Sequence, residues 1–334
     1  MQKNKKTGIN LGNNFIGLDH PPFIIAEMSG NHNQSIIKCK KLIRLAKING
    51  ADAVKIQTYT PDTITLNSNK ADFLIKKGIW KGKNLYELYS QAFTPLEWHK
   101  ELFSYAKKIN IPLFSTPFDS SFVDFLEQFN PPAYKIASFE INDHELIKTI
   151  SKTKKPIIIS VGMSNLNEIK KSLEIIHKYG SGECCVLYCV SGYPTPKEEF
   201  NLNSITYLKE KLNVPIGLSD HTLGNEVATA ATAIGVNIIE KHITISRKEK
   251  GPDSQFSMEP RELKNLINNI ETTWTLMGSK KLFIKKSEKS NFRYRRSLYF
   301  LKDIKKNEII DTKNIKCIRP GYGDKPQNIH KYYG

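Results

Sequence analysis

Val214-Pro215-Ile216-Gly217-Leu218-Ser219-Asp220-His221 and, further on, Ile238-Ile239-Glu240-Lys241-His242 decide the fold. Each begins as an apolar, β-like run, Val214–Leu218 and Ile238–Ile239, and each ends on a histidine. Near-continuous apolar runs suit parallel strands buried on both faces. The pattern occurs eight times: Phe23–Met28, Ala53–Tyr59, Pro112–Phe118, Ala133–Ser138, Pro156–Met163, Cys184–Val190, Pro215–His221 and Ile238–Thr244. Helix-like segments lie between them. Ile36–Ile48 carries one apolar face at helical period, and Phe122–Phe129, Leu146–Ile150, Ile169–Ile176 and Val227–Ile234 behave likewise. Most strand starts are 21 to 31 residues apart, but Ala53 and Pro112 are 59 apart, so an insertion is expected there. Eight β-α units in about 280 residues predict a (β/α)8 TIM barrel. A doubly wound sheet is the rival, and no glycine-rich dinucleotide loop supports it.

In a barrel the C-terminal strand ends converge on one mouth, where the chemistry of this fold is found. At those ends stand Glu27, Lys55 with Gln57, Thr116, Lys135 with Ser138 and Glu140, Ser160, Tyr193, Ser219 with His221, and Lys241 with His242. Two imidazoles at adjacent strand ends can hold one divalent metal and leave positions open for substrate. The ordinary alternative is a helix-capping histidine beside a half-buried one. Inward lysines are costly unless they meet an anion. Hydroxyls beside them suggest a phosphate or carboxylate ligand. Buried pairs, Lys55–Glu27 or Lys135–Glu140, are the simpler account of any one lysine, but a ring of such groups at one mouth favours the ligand.

The residues also resemble a known family. Ile-Ala-Glu (25–27), Asn-His-Asn (31–33), Ala-Asp-Ala-Val-Lys-Ile-Gln-Thr (51–58), Ser-Thr-Pro-Phe (115–118) and Tyr-Lys-Ile-Ala-Ser-Phe-Glu (134–140) look like the sialic acid synthases. So do Gly-Leu-Ser-Asp-His, Glu-Lys-His, Gly-Pro-Asp-Ser (251–254) and Arg-Pro-Gly-Tyr-Gly (319–323), in the family's order. The insertion, with Trp80, Tyr86 and Tyr89, looks most like the pseudaminic acid synthase branch, which uses a 6-deoxy diacetamido altrose. These aromatics would suit a methyl in place of a hydroxyl, or else simply pack the insertion down.

The resemblance implies condensation of phosphoenolpyruvate with an acetamido sugar to a nine-carbon 2-keto acid. It implies a divalent metal on His221 and His242, Mn²⁺ first and Mg²⁺ or Co²⁺ as alternatives. Lys55, Thr116, Lys135, Ser138, Ser160 and Ser219 would hold phosphate and carboxylate. Glu140 would stabilise the developing cation or handle the water proton, and Glu27 would orient sugar hydroxyls. Gln57, Tyr193 and Asp253 would complete the sugar side. Arg319, from a small C-terminal antifreeze-like (SAF, β-clip) domain, would reach the N-acyl group in a partner subunit of a swapped homodimer; Arg296 is the fallback. The expected organisation is a barrel over 1–278, a charged linker over 279–291 and the small domain over 292–334. Two departures stand out. Ser160-Val161-Gly162-Met163 lacks the threonine usual after the fifth strand, and Gly334 comes early for the small domain's last strand, as in a naturally short or truncated chain.

Composition bounds the alternatives. The 334 residues are 39% hydrophobic with no apolar run of 18, so no spanning helix is expected. Met1–Asn10 is basic without a following apolar region, so no secretory signal is expected. Cys39, Cys184, Cys185, Cys189 and Cys317 form no Cys-x-x-Cys pair, which fits a reducing cytoplasm. The net charge is +17, of which residues 279–334 supply +11. A basic lid over an anionic site explains that asymmetry, as does a solvated lysine-rich surface. No helix-turn-helix or RNA-binding motif argues for nucleic acid. A sister synthase taking N-acetylmannosamine or a legionaminate precursor stays open. So does a non-catalytic sugar- or nucleic-acid-binding barrel.

Overall fold

The computed structural model describes residues 8–17 and 19–334; most of the basic start lies outside the described residues. The chain forms two compact units, Met1–Met277 and Gly278–Gly334. The first opens with a hairpin, β1 (Gly8–Leu11) and β2 (Asn14–Gly17). Eight parallel strands follow: β3 (Phe23–Glu27), β4 (Ala53–Thr58), β5 (Leu113–Pro117), β6 (Tyr134–Ile136), β7 (Ile157–Ser160), β8 (Cys184–Cys189), β9 (Ile216–Asp220) and β10 (Ile238–His242). They pair in sequence order, and β10 closes on β3 with Ile238 opposite Phe23 and His242 opposite Glu27. This is the expected (β/α)8 barrel. The strands are shorter than the apolar runs. β6, for example, stops at Ile136 because Ser138–Glu140 turns into a 3-10 helix.

The helices are α1 (Ile36–Ile48), α2 (Pro61–Ile64), α3 (Leu85–Ala92), α4 (His99–Lys108), α5 (Ser121–Glu127), α6 (His144–Lys152), α7 (Leu166–Tyr179), α8 (Asn203–Lys211), α9 (Glu226–Ala233) and α10 (Pro260–Met277). Ser35 caps α1 by accepting from the Lys38 amide, and Asn165 caps α7 in a capping box with Glu168. The long gap after β4 holds α2, α3 and α4, as the 59-residue spacing required.

Two apolar layers follow from strand alternation. Outward residues such as Ile24, Val54, Ile136, Ile157 and Ile239 pack under the helices. Inward residues Phe23, Ile25, Ala53, Phe114, Ala133, Ile158, Cys185, Leu187 and Ile238 cluster with Ile9, Leu11 and Ile16 of the hairpin. The hairpin therefore floors the N-terminal end of the barrel. The inward series continues upward to Glu27, Lys55, Gln57, Thr116, Lys135, Ser160, Ser219, Glu240 and His242. Gly217 also lies on this face, where a Cβ would meet Leu187 and stand 2.7 Å from the Ile238 carbonyl oxygen.

The second unit carries an antiparallel pair, β11 (Ser297–Phe300) and β12 (Ile315–Ile318), flanked by 3-10 segments Lys286–Tyr294 and Pro326–Lys331. This small sheet fits an antifreeze-like domain. Within the charged stretch 279–291, Lys286 already begins a 3-10 segment. Among the described residues, no helix is long and apolar enough to cross a membrane, and the cysteines are free.

Candidate active site

Strands β3, β4, β6 and β10 bring four buried charges together at the barrel mouth. Lys55 Nζ lies 2.6 Å from Glu27 Oε2 and 3.5 Å from Glu240 Oε1; Lys135 Nζ lies 3.7 Å from Glu240 Oε1. The pair weighed between Lys135 and Glu140 is not made: Lys135 instead faces Glu240 and donates to Ser160 Oγ at 2.6 Å. Lys55 donates to Thr116 Oγ1 at 3.1 Å, and Ser219 donates to Glu240 Oε1 at 3.1 Å. Burial presses the Lys55 ammonium toward neutrality, but Glu240 and Glu27 outweigh it and its pKa rises. For Lys135 burial wins over Glu240, and its pKa falls. Burial works against the Glu240 carboxylate, yet Lys135 and Lys55 bring its pKa below the usual range. Lys135 is thus the less tightly paired of the two lysines, with its nearest carboxylate 3.7 Å away.

Hydroxyls gather beside it. Ser138 Oγ and Ser191 Oγ are 2.9 Å apart. A Cβ on Gly162 would come within 2.8 Å of Cys189 Sγ, so backbone and side chains approach closely here. Glu140, on the 3-10 turn after β6, has its pKa raised to about 7, chiefly by burial and against the pull of Lys135. Its Oε2 has no hydrogen-bond partner.

The two histidines meet as the strand ends predicted, their rings 5.3 Å apart. His221 Nδ1 sits 3.0 Å from the Val190 carbonyl oxygen, which leaves Nε2 as its free nitrogen. His242 Nδ1 has no hydrogen-bond partner and lies 3.7 Å from Asp253 Oδ2. Burial lowers both pKa values, that of His221 to about 4, so both rings are neutral donors. No third His, Cys, Asp or Glu joins them in a ligand cluster among the described residues. A neutral imidazole pair with an orphaned buried nitrogen fits a divalent ion that keeps its other positions for water or substrate. Asp253, held by the Ser29 hydroxyl, is raised to about 6 by burial.

An aromatic wall completes the mouth. Tyr193 lies 4.5 Å from His221, 5.4 Å from Phe256 and 5.7 Å from Trp80, by ring centroids. Trp80 donates from Nε1 to the Pro252 carbonyl at 2.8 Å, tying the insertion to the loop that carries Asp253. Of the insertion's other aromatics, Tyr86 bonds Asp62 and Tyr89 packs on Tyr59. Gln57 is half-buried opposite Thr116. Lys241 turns away from the mouth: it bonds Asp220 at 2.7 Å and the Thr222 carbonyl at 2.6 Å, on the opposite strand face from Glu240 and His242. Arg319 and Arg296 belong to the second unit and are exposed there. Sequence reading overlooks Glu240 and Ser29. Strand alternation could have found Glu240, since it shares a face with His242 two residues on.

Comparison with known proteins adds three likenesses. The NeuB family model matches residues 42–282. The pseudaminic acid synthases of Campylobacter jejuni and Helicobacter pylori are 44% and 42% identical over 316 residues. These alignments cover 95% and 94% of this chain, and 92% and 93% of the relatives. A crystal structure of N-acetylneuraminic acid (sialic acid) synthetase from Leptospira borgpetersenii, in complex with citrate, superposes with a TM-score of 0.78 at 32% identity, covering 87% of this chain and 96% of that one.

Proposed function

Because the chain belongs to the NeuB family of sialic acid synthases, we propose that it is a pseudaminic acid synthase. It would condense phosphoenolpyruvate with 2,4-diacetamido-2,4,6-trideoxy-L-altrose and release inorganic phosphate by C–O cleavage. The observation that carries the chemistry is a pair of buried lysines, Lys55 and Lys135, set among hydroxyls at the same barrel mouth as two facing histidines. The substrate follows from the names of the relatives at 44% and 42% identity.

Lys55, Thr116, Lys135, Ser138, Ser160 and Ser219 bind the phosphate and carboxylate of phosphoenolpyruvate. Its C3 adds to the aldehyde carbon of the open-chain sugar, positive charge develops at C2, and water adds there. Glu140, titrating near neutrality, exchanges the water proton. Glu27 is tied to Lys55 and to the Ser29 amide at 2.7 Å, and orients the sugar's hydroxyls. Gln57, Tyr193 and Asp253 line the sugar side. His221 and His242 would hold a divalent ion, Mn²⁺ first with Mg²⁺ or Co²⁺ as alternatives, which supplies Lewis-acid polarisation of the aldehyde oxygen.

We further infer a cytoplasmic homodimer in which the C-terminal unit of each chain serves its partner's barrel, with Arg319 on the sugar's N-acyl group. Exposed apolar side chains on that unit, among them Leu282, Phe283, Ile284 and Tyr322, support an association surface.

Phosphate release and product mass, measured with phosphoenolpyruvate and a panel of amino sugars, test the activity. The altrose derivative should be the preferred acceptor. Preference for N-acetylmannosamine or a legionaminate precursor would move the chain to a sister activity. Chelator should stop turnover, with Mn²⁺ restoring it; full activity in excess chelator would remove the ion from the mechanism.

A further inference from the structure

Glu240 stands between two lysines that come from non-adjacent strands, β4 and β6. It is 3% exposed. Its Oε1 lies 3.5 Å from Lys55 Nζ and 3.7 Å from Lys135 Nζ, both beyond good hydrogen-bond length. The lysines are fixed by closer partners: Glu27 at 2.6 Å and Thr116 at 3.1 Å for Lys55, Ser160 at 2.6 Å for Lys135. Glu240 is therefore not what aims them. What it supplies is charge. It is the one carboxylate within 4 Å of Lys135 among the described residues, and its Oε2 has no hydrogen-bond partner. With Glu27 it cancels the two ammonium charges, so an anion arriving at these lysines meets a neutral cluster.

We propose that Glu240 is an internal counter-ion that tempers the grip of Lys55 and Lys135 on anions, so that the phosphate product is released. This rests on the synthase reading of the site. A phosphate group beside Glu240 feels repulsion from the same carboxylate that balances the lysines without it. Tight anion capture and fast release are thereby traded against each other by one side chain. Without that charge the two ammonium groups would hold phosphate and phosphoenolpyruvate alike, and release would slow.

The test is calorimetric titration of inorganic phosphate, and separately of phosphoenolpyruvate, into the purified full-length protein without sugar. Glu240→Gln keeps the shape and removes the charge. It should bind both anions about tenfold tighter or more. With sugar present, its kcat should fall together with KM for phosphoenolpyruvate. A KM that rises, with weaker binding of both anions, would show that Glu240 positions the lysines instead and overturn the proposal. Equal affinity in the two proteins would also overturn it, while leaving the synthase reading intact. Failure of the wild-type protein to bind either anion would overturn the anion site itself. Thermal melting checks that Glu240→Gln folds. If it does not, Glu240→Asp, which draws the charge back by one methylene, should tighten binding by a smaller factor, and an unchanged affinity there would count against the counter-ion.

Discussion

Glu140 shows how one buried side chain can carry a pH dependence. Its unfolded carboxyl ionises near the ordinary value of 4.5, while in the fold burial holds the proton until about pH 7. Between those values the unfolded chain gives up the proton and the native one keeps it. Glu140's contribution to stability therefore falls as pH rises through that window and is level above it. Glu140→Gln should remove this slope from a series of urea titrations at different pH. It should also lower kcat far more than it changes phosphoenolpyruvate binding, and flatten the kinetic limb near pH 7. Normal turnover in the variant would assign the proton to another group. The residue types at the mouth are legible in the sequence because a lysine or histidine at the end of an apolar strand is costly without a ligand or counter-charge. Partners are less legible. Lys135 faces Glu240 across the barrel rather than Glu140 five residues along, and only the closed ring decides between two carboxylates so placed. Lys241 faces away from the mouth although the Glu-Lys-His triplet reads as one block, because a strand sends its middle residue to the other side.

At the scale of elements, β9 carries a tight packing requirement. Gly217 lies where Leu187 and the Ile238 backbone close over it. Gly217→Ala should cost about 1–3 kcal/mol by overpacking, read as a lower urea midpoint with an unchanged slope. An unaltered midpoint would mean that β8 and β10 yield more easily than their packing suggests. The eight strands can be read because parallel barrel strands are buried on both faces and announce themselves as unbroken apolar runs. Their ends cannot, because strand pairing stops where the backbone turns rather than where hydrophobicity ends. The hairpin β1–β2 is not legible in advance. It has two short strands, and its apolar residues Ile9, Leu11 and Ile16 gain meaning only from the barrel they pack against. The insertion follows from spacing alone, but its helices α3 and α4 do not, since only three-dimensional packing separates them from loop.

For the whole molecule, the proposed dimer makes a direct prediction. Chains carrying Arg319→Ala and chains carrying His221→Ala should each be weak, the second more severely. When mixed and allowed to exchange, they should regain activity, because one barrel with intact histidines would meet one intact C-terminal unit. Confirmed exchange with no activity above that of Arg319→Ala alone would place the arginine in its own chain's site.

The hairpin floor has a kinetic consequence. A barrel stopped at one end has a single doorway. Along β10, Glu240 lies one two-residue repeat, about 6.6 Å, deeper than His242, and the Lys55 and Lys135 ammonium groups reach toward it there. The guest of the lower berth must enter before the upper one fills and leave after it clears. Turnover should thus follow a compulsory order, phosphoenolpyruvate ahead of the sugar and phosphate last out. Initial-rate measurements should find phosphate competitive against phosphoenolpyruvate but not against the sugar. Radiolabelled phosphoenolpyruvate bound to the enzyme should be trapped as product when sugar is added in a chase. Equally efficient trapping of prebound sugar would mean that the deep site fills by another route, past a floor that opens.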